Sequence, residues 1–161
     1  MIQNVTHFNQ INLRQRMLVL CDIDDTVFDY GKPIEDYWNS KIDDPGYRIL
    51  IEQIKKLTPK LTDDNFNDFI LNLNSINCEI HFVTHRNPNF KDITHNHLNF
   101  YGIFNIPIHF LAGESKSEYI NRTFNLNDYE GIIFIDDSQF NVDDVSQNVR
   151  NSEVYKFLKC K

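Results

Sequence analysis

The chain has 161 residues, 41% of them hydrophobic, with a formal net charge of −7 and a pI near 5.2. That apolar share fills one sizeable core, and the length suits a single domain over residues 1–161 with an N-terminal arm over 1–16. The acidic balance argues against a broad phosphate-gripping face for duplex nucleic acid, without excluding a small basic pocket. No apolar run approaches the roughly 18–20 residues of a membrane span, so no membrane partner is expected. The stretch Met1 to Arg16 is polar and lacks the apolar h-region of a signal peptide. Cys21, Cys78 and Cys160 are odd in number and scattered, as expected of reduced thiols in a cytoplasmic protein.

After the arm, Met17 to Asp22 is an apolar run ending on a carboxylate and reads as a first, buried strand. Thr26 to Asp43 has mixed character, with Gly31, Pro33 and the only Trp, Trp38, and reads as a loop or flap. Asp44-Pro45 caps a helix through Ile49, Leu50, Ile54 and Leu57, which Thr58-Pro59 breaks. Thr62 is expected to cap a second helix carrying Phe66, Phe69, Ile70 and Leu73. Glu79 to Thr84 is a second strand, Lys91 to Tyr101 a helix stopped by Gly102, and Pro107 to Leu111 a third strand. Ser115 to Phe124 is a helix, Gly131 to Asp136 a fourth strand, Gln139 to Val149 a helix and Val154 to Leu158 a fifth strand. Alternating strands and helices predict an α/β fold with a five-stranded parallel sheet joined by right-handed crossovers.

The residues that carry chemistry fall at the carboxyl ends of these strands, where open α/β sheets place their sites. Asp22 ends the first strand. Asp24 points the same way if the chain stays extended, because strand side chains alternate. Two adjacent carboxylates repel, and a bound cation or a shared proton relieves them. An Asp such as Asp22 can take a phosphoryl group as an aspartyl-phosphate. Asp24 can protonate the leaving oxygen and later activate water. The Thr84 hydroxyl can donate to a phosphate oxygen, and Lys116 can neutralise the nucleophile and the phosphate. Asp136 and Asp137, after an apolar run, can join Asp22 in holding a hard divalent cation.

These residues resemble the motifs of the haloacid dehalogenase (HAD) superfamily. Asp22, Asp24 and Thr26 match its Asp-x-Asp-x-Thr, Thr84 its strand-ending hydroxyl, Lys116 its Lys, and Asp136-Asp137 its closing acidic pair. The run from Asp22 to Val27 and the run Phe82-Val83-Thr84-His85-Arg86 also resemble class B acid phosphatases and related groups. The resemblance spans about Met17 to Leu158. It implies a three-layer HAD-like Rossmannoid sandwich with sheet order 5-4-1-2-3. It also implies Mg²⁺ held by Asp22, the main-chain carbonyl of Asp24, and Asp136, with Asp137 as an alternative ligand. Asp25 stands where many members have Gly. His85 stands where the acid phosphatases have Gly, placing an imidazole beside Thr84. His85 and Arg86 are counted with the phosphate-binding residues, Arg86 either touching phosphate or bracing its loop.

The expected activity is Mg²⁺-dependent hydrolysis of a phosphate monoester. The interval between Asp22 and Thr84 leaves room for a flap or small helical insert, with little or no cap domain. A thinly covered site admits a bulky phosphorylated substrate, or is covered by a second subunit in a homo-oligomer. A polynucleotide 3′-phosphatase is an alternative that the acidic charge disfavours. A receiver-like binding module is another, although receivers place their acidic pair on the first strand. A dehalogenase would have no use for Asp24. Six histidines show no spacing that makes a zinc site. His95 and His97, two apart, do not share a helix face and are expected at surface positions.

Overall fold

The computed structural model describes residues 1–31, 52–111 and 113–160. A parallel sheet organises them. Its strands are β1 (Ile2–Val5), β2 (Met17–Cys21), β5 (Glu79–Thr84), β6 (Ile108–Phe110), β7 (Gly131–Asp136) and β8 (Ser152–Phe157). The spatial order is β1-β8-β7-β2-β5-β6, and every neighbouring pair is parallel. The five strands from β2 onward stand in the order expected from the resemblance. The sixth is a correction. The N-terminal arm contributes β1 at the edge, with Ile2 opposite Val154 and Val5 opposite Phe157.

Alternation along the strands divides the interior into two faces. Met17, Val19 and Cys21 of β2 enter one cluster with Phe66, Phe69 and Leu73 of α1 (Phe66–Ser75) and Leu98 of α2 (Lys91–Phe100). Leu18 and Leu20 enter the other, with Ile120 of α3 (Lys116–Thr123) and with Val142 and Val145 of α4 (Gln139–Asn148). Helices therefore cover both faces, giving three layers. Ser115 and Ser138 cap α3 and α4 through their hydroxyls. Gly102 follows α2 at φ 72, the left-handed conformation that glycine adopts freely.

Two short strands, β3 (Phe28–Asp29) in the described part of the flap and β4 (Lys60–Leu61) after the helical residues 52–56, pair antiparallel beside the sheet. Trp38, the Asp44-Pro45 cap and the helical positions Ile49 and Leu50 lie outside the described residues. Residues 52–56 are helical, and the helix has ended before Thr58-Pro59. Thr62 does not cap α1. Its hydroxyl turns away to donate to the carbonyls of Thr26 and Val27, tying β4's end to the flap. Asp63 instead accepts from the main chain of Asn65 and, across the fold, from Phe8 N at 2.7 Å. Among the described residues no helix is long and apolar enough to cross a membrane.

Candidate active site

Three strand ends meet at one cavity of about 470 Å³, lined by Asp22, Asp24, Asp25, Thr84, His85, Asp137, Ser138, Phe140 and Asn141. Asp22 is still on the ladder, its N–H donating to Ile135 O at 2.9 Å. The chain then turns. Asp25 takes φ 58, a left-handed conformation that Asp tolerates better than most residues. Lys159 near the C-terminal end clamps this turn, reaching Asp25 at 2.8 Å and Asp29 at 3.0 Å. Thr26 is fully buried, and its hydroxyl accepts from Asp137 N at 3.1 Å, joining the first and last motifs.

Lys116 lies at the centre. Its ammonium donates to Asp22 Oδ1 at 2.5 Å and to Asp136 Oδ2 at 2.6 Å. Burial alone would lower the Lys116 pKa, but the two carboxylates outweigh it and keep the ammonium firmly protonated. Burial pushes the Asp22 carboxyl upward, against the pull of Lys116 and with the push of Asp136. Asp136 is fully buried and held from three sides. Ser138 N donates to its Oδ1 at 2.8 Å, Asn141 Nδ2 donates to both oxygens at 3.2 and 3.0 Å, and Lys116 completes the set. Asp137, half-buried beside it, is pushed up to about 7 by burial and by the charges of Asp136 and Asp25.

Arg86 answers the question its sequence position leaves open. It makes a buried, two-pronged pair with Asp24, Nε to Oδ2 at 2.9 Å and Nη2 to Oδ1 at 2.7 Å. Its Nη1 donates to Thr94 at 2.7 Å and its main-chain N–H to the Thr84 hydroxyl at 3.1 Å. It thus braces the loop and the second carboxylate together. Burial would lower the Arg86 pKa, yet Asp24 raises it above the ordinary arginine value. His85 bonds Glu114 O at 3.3 Å through Nε2, and burial, followed by the Lys116 charge, lowers its pKa. His97 is a second correction: it is buried, not at the surface, and bonds Tyr30 at 2.9 Å.

Tyr30, Thr94, Ser138 and Asn141 all buttress the site without appearing among the residues expected from the sequence. Ser138 and Asn141 had a signal, since they follow the acidic pair into the first turn of α4. Tyr30, Thr94 and His97 had none, because their roles arise from contacts across the fold.

Carboxylate oxygens of Asp22, Asp136 and Asp137 lie within 4.8 Å of one another, the one cluster of three potential metal ligands among the described residues. The donor set is all oxygen, which suits a hard cation such as Mg²⁺. Three carboxylates against the single Lys116 ammonium leave two negative charges, matching a divalent ion.

No protein-family model and no curated protein matches the sequence. Solved structures do match in shape. A chain of the Pnkp1/Rnl/Hen1 complex superposes over 90% of this chain with a TM-score of 0.57 and 13% identity. This chain spans 47% of that one, about half its length. A class C acid phosphatase from Bacillus anthracis superposes over 92% of this chain and 69% of its own, with a TM-score of 0.59 and 16% identity. A HAD-family enzyme from Bacteroides thetaiotaomicron, in complex with magnesium and inorganic phosphate, gives 0.55 and 13% over 91% and 96% of the two chains. The chain shares its fold with these structures, an acid phosphatase and a HAD-family enzyme among them, and its strand order is the one expected from the resemblance.

Proposed function

We propose that this chain is a Mg²⁺-dependent phosphatase that hydrolyses a phosphate monoester through an aspartyl-phosphate on Asp22. The observation that carries the reading is the convergence of Asp22, Asp24, Thr84, Lys116 and the Asp136-Asp137 pair at one strand-end cavity. Likeness in fold to a class C acid phosphatase and to a HAD-family enzyme holding magnesium and inorganic phosphate supports it.

Asp22 attacks phosphorus and the ester oxygen departs, taking a proton from Asp24. Asp24 then accepts a proton from a water that attacks the acyl phosphate, releasing inorganic phosphate and restoring Asp22. Arg86 occupies one lone pair on each Asp24 oxygen, and each oxygen keeps a second for this proton traffic. The Thr84 hydroxyl accepts from Arg86 N and retains its own proton for a phosphate oxygen. Lys116 holds Asp22 in place and offsets its charge. Asp22, Asp136 and Asp137 would hold Mg²⁺, which supplies the positive charge that lets two anions, carboxylate and phosphate, approach.

The described residues lining the cavity include Asp25 and Asp137 but no lysine or arginine. That favours a compact monoester over a polynucleotide end, whose neighbouring phosphates would meet carboxylates. The protein should release many equivalents of product from a small aryl phosphate with Mg²⁺, and Asp22→Asn should release none. Release that stops near one equivalent, with a stable phosphorylated Asp22, would replace the phosphatase by a receiver-like module. Undiminished release in excess chelator would remove the metal from the mechanism.

A further inference from the structure

Behind the Arg86–Asp24 pair lies a second layer of buried groups that the mechanism above does not use. The Tyr30 ring lies under the Arg86 guanidinium, 4.9 Å from Cζ to ring centroid. The Tyr30 hydroxyl meets His97 Nδ1 at 2.9 Å. All four side chains, Asp24, Tyr30, Arg86 and His97, are buried.

A phenol O–H donates readily to an unprotonated imidazole nitrogen, the role open to Nδ1 when the ring is neutral. Burial, and next the Arg86 charge, lower the His97 pKa and so favour the neutral ring. Tyr30 directly follows β3, so the strut starts on the flap. His97 is on α2 and Arg86 lies just after β5. Three segments that share no local sequence signal are pinned at one guanidinium.

We propose that Tyr30 and His97 are positioning residues for the reaction: anchored on His97, the Tyr30 ring holds the Arg86 guanidinium against both oxygens of Asp24 and so aims the acid/base carboxylate at the leaving group. A cation over an aromatic face is attracted most strongly when both are out of water, as here. A guanidinium fork fixes the plane of the carboxylate it pairs with. Swinging Tyr30 away would leave that fork held from behind by Thr94 alone and let it tilt with Asp24, while Asp22 and Lys116 stayed in place.

The inference rests on the phosphatase reading, and the experiment separates the two. Steady-state kinetics are measured with Mg²⁺ on a nitrophenyl phosphate, whose leaving group needs little protonation, and on a simple alkyl phosphate, whose leaving group needs it. Wild-type protein that turns over neither ester refutes the phosphatase reading before any variant is made. With wild-type turnover established, Tyr30→Leu should lower kcat on the alkyl ester about tenfold more than on the aryl ester, a fraction of the roughly 10²–10⁴-fold that general acid–base help supplies. KM should change little. Tyr30→Phe keeps the ring and loses the anchor, and should move the same ratio by about threefold. His97→Asn offers an acceptor near the Nδ1 position and should resemble Tyr30→Phe. A merely structural role lowers both esters alike, so an alkyl-to-aryl ratio left at the wild-type value in Tyr30→Leu overturns the proposal. If Tyr30→Leu does not fold, the ratio in Tyr30→Phe decides in the same way.

Discussion

Asp137→Asn tests the electrostatics of the site without requiring a substrate. In the metal-free fold Asp137 is pushed from 3.8 to about 7 by burial and by Asp136 and Asp25. At 1.36 kcal/mol per tenfold change in proton affinity, that difference is roughly 4 kcal/mol. Asp137 is only half-buried, so solvent screening roughly halves it, to about 2 kcal/mol. The folded state binds this proton more tightly than the unfolded state does. Below about pH 4 both states hold it and nothing is lost. As pH rises toward 7 the unfolded chain releases the proton first, and this group's share of the stability falls, levelling off above 7. The asparagine variant has no proton to lose. It should match wild type near pH 4 and exceed it by about 2 kcal/mol at pH 8, or about 4–8 °C in thermal midpoint for a chain of this size. Thermal unfolding in excess chelator from pH 4 to 8.5 reads this directly. A gain that is the same at every pH, or no gain at pH 8, would refute the account. Mg²⁺ should stabilise wild type more at pH 8 than at pH 5, and the variant less than wild type, through mass action on the folded state.

Two further substitutions probe the frame around the site. Lys116→Met removes the fully buried ammonium between Asp22 and Asp136 and should cost roughly 3–5 kcal/mol in urea unfolding, with turnover falling to background; a stability within about 1 kcal/mol of wild type would mean the two carboxylates are less buried than they stand. Phe8→Ala empties the place where Phe8 meets Phe66, Phe69 and Phe157 at centroid distances of 4.7, 5.2 and 4.9 Å. It should cost roughly 3–5 kcal/mol while leaving KM unchanged, and a KM shift would tie the arm to the site.

The strands that carry the site were the most legible part of the chain. β5 and β7 have the bounds expected of them because each is a run of buried residues with no competing helical period, ending on Thr84 and Asp136. β1 was not legible. Ile2-Gln3-Asn4-Val5 is an edge strand with only Val5 buried, so it shows neither an apolar run nor a clean alternation. The pairing of β3 with β4 spans two residues on each side, too short for any periodicity to register. Thr62 had the composition of a cap, but long-range acceptors on Thr26 and Val27 claimed its hydroxyl. His97 illustrates the same limit. Its spacing from His95 says only that the two do not share a helix face, and which of them turns inward depends on Tyr30, far away in sequence.

Arg86 carries the largest consequence of that kind. Had it been free to touch phosphate, the cavity would offer a cation to an incoming dianion. Instead Arg86 is matched by Asp24, and Lys116 is shared between Asp22 and Asp136, so both buried cations among the described residues are already committed. Lys159, at the turn, is likewise divided between Asp25 and Asp29. Asp22, Asp24, Asp136 and Asp137 against Lys116 and Arg86 leave the centre two charges negative when all are ionised. A phosphate monoester would enter against that field. The same arithmetic explains why burial drives Asp22 and Asp137 toward their protonated forms, and why a protonated Asp22 would make a poor nucleophile. One added divalent charge would cure both problems at once. Held by Asp22, Asp136 and Asp137, it would favour the ionised carboxylates and offset the repulsion that would keep the phosphate out.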